Sequence, residues 1–230
     1  MFVVFEGIDG CGKTTISKLF TEKLKNEGKA VIWTNEPNSD TEFGLDIRNI
    51  FKKHETKLDV LTEFLLFYAS RVEHLNKIII PAIKNGKTVI CDRYVHSSFA
   101  YQGAAGLCQN IMSDIHCGVF DNFLLKKDLS TSVISPDIVF WIDTDIDTCM
   151  GRNKKADAKD RMPKEYYEKC RNYYSDLYNT RGYFPFIYKI NGNQKVGAVL
   201  SEILGVYKTS ISRLEKMQLD KIYRKNTIAK

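Results

Sequence analysis

At 230 residues the chain is long enough to bury the core of one α/β domain and short for two of ordinary size, so a single domain is expected. Hydrophobic residues at 43% and charged residues at 27% exclude a disordered chain, and the apolar runs, such as 78–80 and 138–142, fall far short of the roughly 20 residues needed to span a bilayer. A net charge of +6 could serve nucleic-acid binding, but much of it gathers in the tail (Arg213, Lys216, Lys221, Arg224, Lys225, Lys230), which reads as a solvated basic helix over 211–230.

The first residues reach Glu6 without the charged region and long apolar run of a secretory signal, so a cytoplasmic protein is expected. Residues 3–6 form a short β-branched and aromatic run, predicting a strand. A Gly-rich turn follows, then a stretch over 13–26 with Ile16, Leu19, Phe20 and Leu24 at helical spacing, closed by Gly28. Residues 30–34 read as a second strand, and Glu36-Pro37 opens a polar loop. A short helix is expected over 45–51 and one or two longer ones over 58–83. Asn85-Gly86-Lys87 turns the chain into a buried strand at 88–91 that ends on Asp92-Arg93. The segment after Tyr101 is helical but weakly patterned, and 138–143 is another continuous apolar strand. Residues 152–161, dense in charge and poor in core residues, read as a mobile loop. A tyrosine-rich helix, a strand over 186–190 and a helix from about 196 complete the chain. Strands apolar throughout and separated by helices predict a parallel sheet of about five strands covered on both faces, with ligands at the strands' carboxyl ends. The six cysteines form no CxxC pair and no zinc spacing, so reduced thiols are expected.

Gly7-Ile8-Asp9-Gly10-Cys11-Gly12-Lys13-Thr14 is a complete GxxxxGK[ST] sequence between a strand and a helix, followed by Thr15. This is the phosphate-binding loop of the P-loop NTPase fold. Its glycines let backbone N–H groups curl around phosphate oxygens at the positive end of a helix dipole. Lys13 is expected to reach the β- and γ-phosphates of ATP, and the Thr14 hydroxyl to help bind Mg²⁺. Thr56-Lys57-Leu58-Asp59 has the look of a GTPase base-reading element, but it precedes a helix, not a strand end, and reads as coincidence. Asp92 and Arg93 emerge at the same sheet edge as the P-loop, the first suited to holding Mg²⁺ through water and the second to offering a phosphate a planar fork of donors.

The run from Phe5 to Thr15, the Glu36-Pro37 loop, the helix containing Leu66-Phe67-Tyr68-Ala69-Ser70-Arg71, and the run Asp92-Arg93-Tyr94-Val95-His96-Ser97-Ser98-Phe99-Ala100-Tyr101-Gln102 together resemble the thymidylate kinase family, in its order and at its spacing. The resemblance implies an enzyme that transfers a phosphoryl group from Mg-ATP to dTMP, making dTDP, and that works as a homodimer. By position it implies that Asp9 binds the acceptor's 3′-hydroxyl, Phe67 stacks on thymine, Arg71 hydrogen-bonds to the base, and Arg93 holds the acceptor phosphate with help from Arg48. Glu36 joins this substrate set, Tyr101 crowds the ribose 2′ position, and Ser97 and Ser98 fall where the family lines the base pocket. An aromatic ring with Arg four residues on, along one helical face, suits reading a base edge.

Gly10 stands where eukaryotic-type members carry an arginine, so the bacterial type is implied, with the catalytic arginine supplied by a lid at about 151–163. Arg152 is the first choice, among Lys154, Lys155, Lys159 and Arg161. Residues 1–210 are then one kinase domain. Three departures from bacterial members stand out: Asn35 and Asn38-Ser39-Asp40-Thr41 flank Glu36-Pro37 in place of Arg and Gly-Gly-Thr, Met162-Pro163 replaces an acidic residue after Arg161 in a shortened lid, and 110–135 is long. The competing functions are a deoxynucleoside kinase or broader nucleotide kinase of the same fold and, from another class, a P-loop ATPase that binds nucleic acid. No nucleic-acid or membrane partner is expected.

Overall fold

The structure is a computed structural model that describes residues 1–38, 40–52, 58–121, 135–152, 162–180 and 186–228. Its centre is a five-stranded parallel sheet in the order β2-β3-β1-β4-β5, formed by β1 (Phe2–Glu6), β2 (Val31–Asn35), β3 (Thr88–Asp92), β4 (Ile138–Asp143) and β5 (Ile187–Asn191). Every residue of β1 and β4 is buried, as strands covered on both faces require. The parallel register aligns Phe5 with both Asp92 and Phe140, and Asp143 with Asn191, which gathers the strand ends Glu6, Asp92, Asp143 and Asn191 along one edge.

The helices are α1 (Lys13–Asn26), α2 (Glu42–Lys52), α3 (Val60–His74), α4 (Ile80–Lys84), α5 (Val95–Ala104), α6 (Gln109–Ile115), α7 (Ile146–Arg152), α8 (Lys164–Thr180) and α9 (Val196–Ile228). Helix α1 turns Ile16, Phe20 and Leu24 inward, where Phe20 meets Phe5 at 5.6 Å and Tyr207 of α9 at 5.0 Å between ring centroids. Helix α9 continues without a break past position 210, and Val199, Ile203 and Tyr207 are its buried anchors.

The stretch expected as one or two helices over 58–83 is two α-helices joined by a π-helical turn, Leu75–Ile79. Pro81 has no N–H to give and would break an α-helical ladder, so the chain widens by one residue just before it. Asp59 accepts from Leu61 N at 2.9 Å as the N-cap of α3, which accounts for the last residue of the GTPase-like tetrapeptide; Thr56 and Lys57 lie outside the described residues. Helix α2 starts three residues earlier than expected because the polar residues before it cap it. Asn38 Oδ1 accepts from Asp40 N and Thr41 N, and Thr41 Oγ1 accepts from Gly44 N. Of the lid expected at about 151–163, positions 153–161 lie outside the described residues, including Lys154, Lys155, Lys159 and Arg161. So does most of the second half of the long 110–135 segment, at 122–134.

Candidate active site

The phosphate-binding loop begins as β1 ends. Gly7 adopts φ 142, and a Cβ there would stand 2.7 Å from the carbonyl oxygen of Ile142, so only glycine fits between the central strands. Gly10 adopts φ 82, and a Cβ would lie 2.1 Å from the Cys149 carbonyl oxygen on α7. With α7 in this place any side chain at position 10 would collide with the Cys149 backbone, so an arginine does not fit there. Gly12 caps α1 without a side-chain hydrogen bond, which leaves the first N–H groups of the helix directed at whatever anion the loop holds. Lys13 is buried, with Nζ 3.3 Å from the Ile8 carbonyl oxygen and 3.6 Å from Asp9 Oδ1. The Cys11 thiol is pushed up by burial and stays protonated.

Asp92 arrives from β3 beside the loop, and its Oδ2 accepts from the Thr14 hydroxyl. Its other oxygen, Oδ1, is buried without a hydrogen-bond partner among the described residues. An orphaned carboxylate oxygen next to the P-loop threonine is the chemistry a hard divalent cation selects, so these two residues fit Mg²⁺. Among the described residues no group of three or more His, Cys, Asp and Glu side chains could hold a metal ion.

Arg93 has φ 75, a left-handed conformation that is strained for a residue with a Cβ. Its guanidinium meets Asp9 Oδ1 at 2.5 Å, Tyr101 Oη at 3.1 Å, Ser97 Oγ at 2.9 Å and the Gly7 carbonyl oxygen at 3.4 Å. Tyr101 in turn donates to Asp9 Oδ2. Burial pushes the Asp9 carboxyl up, but Arg93 and Lys13 outweigh it and hold the group well below the usual carboxylate range.

A cavity of about 260 Å³ opens beside this cluster, lined by Asp9, Glu36, Phe67, Arg71, Arg93, Ser97, Ser98 and Tyr101 of the expected residues. Arg48 does not line it; from α2 its Nη1 donates to the Pro37 carbonyl oxygen at 3.3 Å and steadies the cavity's edge. The Phe67 ring stacks on Phe51 at 4.3 Å, so ordinary packing already holds it in place. Arg71 is 2% exposed. Its Nε donates to Glu36 Oε2 at 2.7 Å, and its Nη2 donates to Ser98 Oγ at 3.0 Å and to the Tyr94 carbonyl oxygen at 3.2 Å. Nη1 alone has no partner among the described residues. A buried charged donor left unpaired in the wall of a cavity is a place for a ligand's acceptor.

Arg152 ends α7 at the mouth of a second cavity of about 190 Å³, formed with Cys11, Gly12, Thr15, Gly192 and Gln194. The P-loop thus borders two cavities, the first through Asp9 and the second through Cys11, Gly12 and Thr15.

Sequence reasoning missed Gln102, Glu6, Tyr174, His74 and the loop after β5. Gln102 lines the first cavity with a buried, unpartnered Oε1. Its position four residues after Ser98, on the same helical face, was the available signal. Gly192 and Gln194 follow a parallel strand's carboxyl end, where ligand contacts are expected in this architecture.

A sequence model of the thymidylate kinase family matches residues 5–203. A thymidylate kinase of Fervidobacterium nodosum is 36% identical over 209 residues, covering 90% of this chain and 98% of its own. That of Thermosipho africanus is 39% identical over 209 residues, covering 90% and 96%. The crystal structure of thymidylate kinase from Ehrlichia chaffeensis superposes with a TM-score of 0.69 at 32% identity, covering 90% of this chain and 98% of that one. The family match takes in the P-loop, the Arg71 helix, the Asp92-Arg93 element and α7, and on that extent of sequence and structure the chain belongs to the thymidylate kinase family.

Proposed function

We propose that this protein transfers the γ-phosphoryl group of ATP to the 5′-phosphate of dTMP. Family membership supports the reaction. The observation that carries the acceptor is the cavity beside the P-loop, whose lining includes both an Arg71 with an unpaired donor and the Arg93 guanidinium. In this reading the base lies against Phe67, with its edge toward Arg71 and Gln102. The ribose 3′-hydroxyl meets Asp9, Tyr101 crowds the 2′ position, and the acceptor phosphate displaces part of the Arg93–Asp9 contact. Ser98 orients Arg71, and Glu36 fixes it from behind.

ATP binds with its phosphates around residues 7–15 and its base side in the second cavity. Lys13 holds the β- and γ-phosphates, and Arg152 swings in from α7 to offset charge on the transferring group. Thr14 and Asp92 would hold Mg²⁺, which when bound neutralises phosphate oxygens that otherwise repel the attacking acceptor. The protein's own work is alignment and charge compensation in a site closed to water, because phosphoryl transfer needs little covalent help. Residues 1–210 serve as the kinase domain, with the lid at about 151–163 and a basic tail after 210.

We also read the enzyme as a cytoplasmic homodimer. No described helix is long and apolar enough to cross a membrane. Phe43 and Leu65 are 43% and 47% exposed on neighbouring helices, and they line an open groove with Ala69 and Val72 that suits a second copy. Transfer of label from γ-labelled ATP to dTMP tests the function. Labelled dTDP is the expected product, whereas slow ATP hydrolysis that ignores dTMP and responds to DNA would favour the ATPase alternative.

A further inference from the structure

Glu6 is the last residue of β1, immediately before the P-loop, and it is fully buried. A carboxylate in such a place costs several kcal/mol unless donors surround it. Its Oε1 accepts from Tyr94 N at 2.7 Å and from Ser97 N at 3.3 Å. Its Oε2 accepts from Ser97 Oγ at 2.6 Å and from Tyr174 Oη at 2.9 Å, and His96 Nδ1 lies 3.5 Å from Oε1. Burial pushes its carboxyl up, but His96, the Ser97 hydroxyl and Arg93 hold it below the usual range, so the group is ionised at neutral pH.

An ionised carboxylate only accepts, and a serine hydroxyl has one proton to give. With that proton committed to Glu6, Ser97 Oγ can meet Arg93 Nη1, 2.9 Å away, only as an acceptor. Tyr174, 3.0 Å from Ser97 Oγ, likewise spends its proton on Glu6. Arg93 can only donate, so Ser97 Oγ must accept from it, and the ionised Glu6 completes the chain by taking the one proton that Ser97 has left to give. The same carboxylate also takes the N–H of Tyr94, the residue immediately after the strained left-handed Arg93, while Arg93 N donates to the Phe5 carbonyl oxygen at 2.9 Å. A backbone in that region persists only where its surroundings over-determine it.

We propose that Glu6 is a positioning residue for the acceptor phosphate, holding Arg93 in its strained backbone conformation and, through Ser97, aiming its guanidinium. The proposal rests on Arg93 as the ligand of the acceptor phosphate. A residue that only supports the fold would weaken all ligands alike, whereas one acting through Arg93 weakens those bearing a 5′-phosphate.

The test is calorimetric titration of dTMP, thymidine and Mg-ATP into the full-length wild type and the variants Arg93→Ala, Glu6→Gln, Ser97→Ala and Glu6→Gln/Arg93→Ala. Arg93→Ala should weaken dTMP and spare thymidine. Glu6→Gln and Ser97→Ala should each weaken dTMP by about tenfold, since each breaks charge-assisted hydrogen bonds, and Glu6→Gln should leave thymidine and Mg-ATP within about twofold. Glu6→Gln should add nothing once Arg93 is gone. Wild-type dTMP affinity in Glu6→Gln beside a defective Arg93→Ala overturns the proposal, and so does an equal loss of all three ligands. Unchanged dTMP binding in Arg93→Ala removes the phosphate-ligand reading itself, a failure distinct from that of Glu6. If Glu6→Gln does not fold, Ser97→Ala keeps the carboxylate and removes the hydroxyl that joins it to Arg93, and undiminished dTMP affinity there overturns the proposal.

Discussion

Replacing Arg71 by methionine keeps most of the side chain's volume and removes its charge. It deletes the 2.7 Å bond to Glu36 and the bonds to Ser98 and Tyr94. Glu36, itself 7% exposed, then keeps only His74 as a side-chain partner among the described residues. Breaking a buried pair from one side costs about 3–5 kcal/mol, because the other charge stays buried without compensation. At roughly 2–4 °C per kcal/mol for a chain of this size, the melting temperature should fall by roughly 6–20 °C. Adding Glu36→Gln removes the stranded charge, so the double variant should recover part of that loss. Scanning calorimetry without ligand reads both values. A single variant that melts with the wild type, or a double variant less stable than the single, would refute the argument that Arg71 and Glu36 are held by each other's charge.

Other perturbations separate the remaining roles. Asp92→Asn takes away the carboxylate that meets Thr14 and carries the orphaned oxygen, so the Mg²⁺ concentration for half-maximal ADP formation should rise by roughly 10- to 100-fold; an unchanged titration would place the cation elsewhere. Arg152→Ala should lower kcat by roughly 100-fold with little change in the ATP KM, as loss of a group that acts on developing charge does. Retained kcat would mean that the catalytic cation comes from another residue. Partial desolvation raises the Asp9 carboxyl in the folded protein, but Arg93 and Lys13 depress it further than that, although the side chain is 44% exposed. Its contribution to stability is therefore present above the ordinary aspartate range, near about pH 4, and is lost as pH falls through the folded value. Urea midpoints of Asp9→Asn should accordingly fall less steeply below about pH 4 than those of the wild type, and parallel curves would show that the Arg93 contact adds nothing.

Much of the fold was legible because its strands advertise themselves. Residues 138–142 are apolar throughout, and a short β-branched and aromatic run of this kind, ending on Asp143, suits a strand covered on both faces. The P-loop was legible because glycine has no substitute at Gly7 and Gly10. The π-turn before Pro81 was not, since a proline signals a break without saying whether the chain will kink, stop or widen. Phe67 and Arg71 were singled out through the family's motif, since periodicity alone leaves Phe67 beside Phe64 and Leu65 as core. Glu6 and His74 drew no role from the sequence because nothing local announces their partners. Tyr174 lies 168 positions from Glu6, and Glu36 lies 38 from His74. Buried charge is satisfied by tertiary contacts, and those appear only once the sheet has aligned its strand ends.

The most direct test of the account is to measure kcat/KM for ADP formation from Mg-ATP with dTMP, dUMP, dGMP, dCMP, AMP and thymidine as separate acceptors. The pocket built on Phe67, Arg71 and Arg93 predicts a clear preference for dTMP, with thymidine, which offers Arg93 no phosphate, far behind. Preference for thymidine or for a purine monophosphate would contradict that pocket and leave only the P-loop chemistry standing.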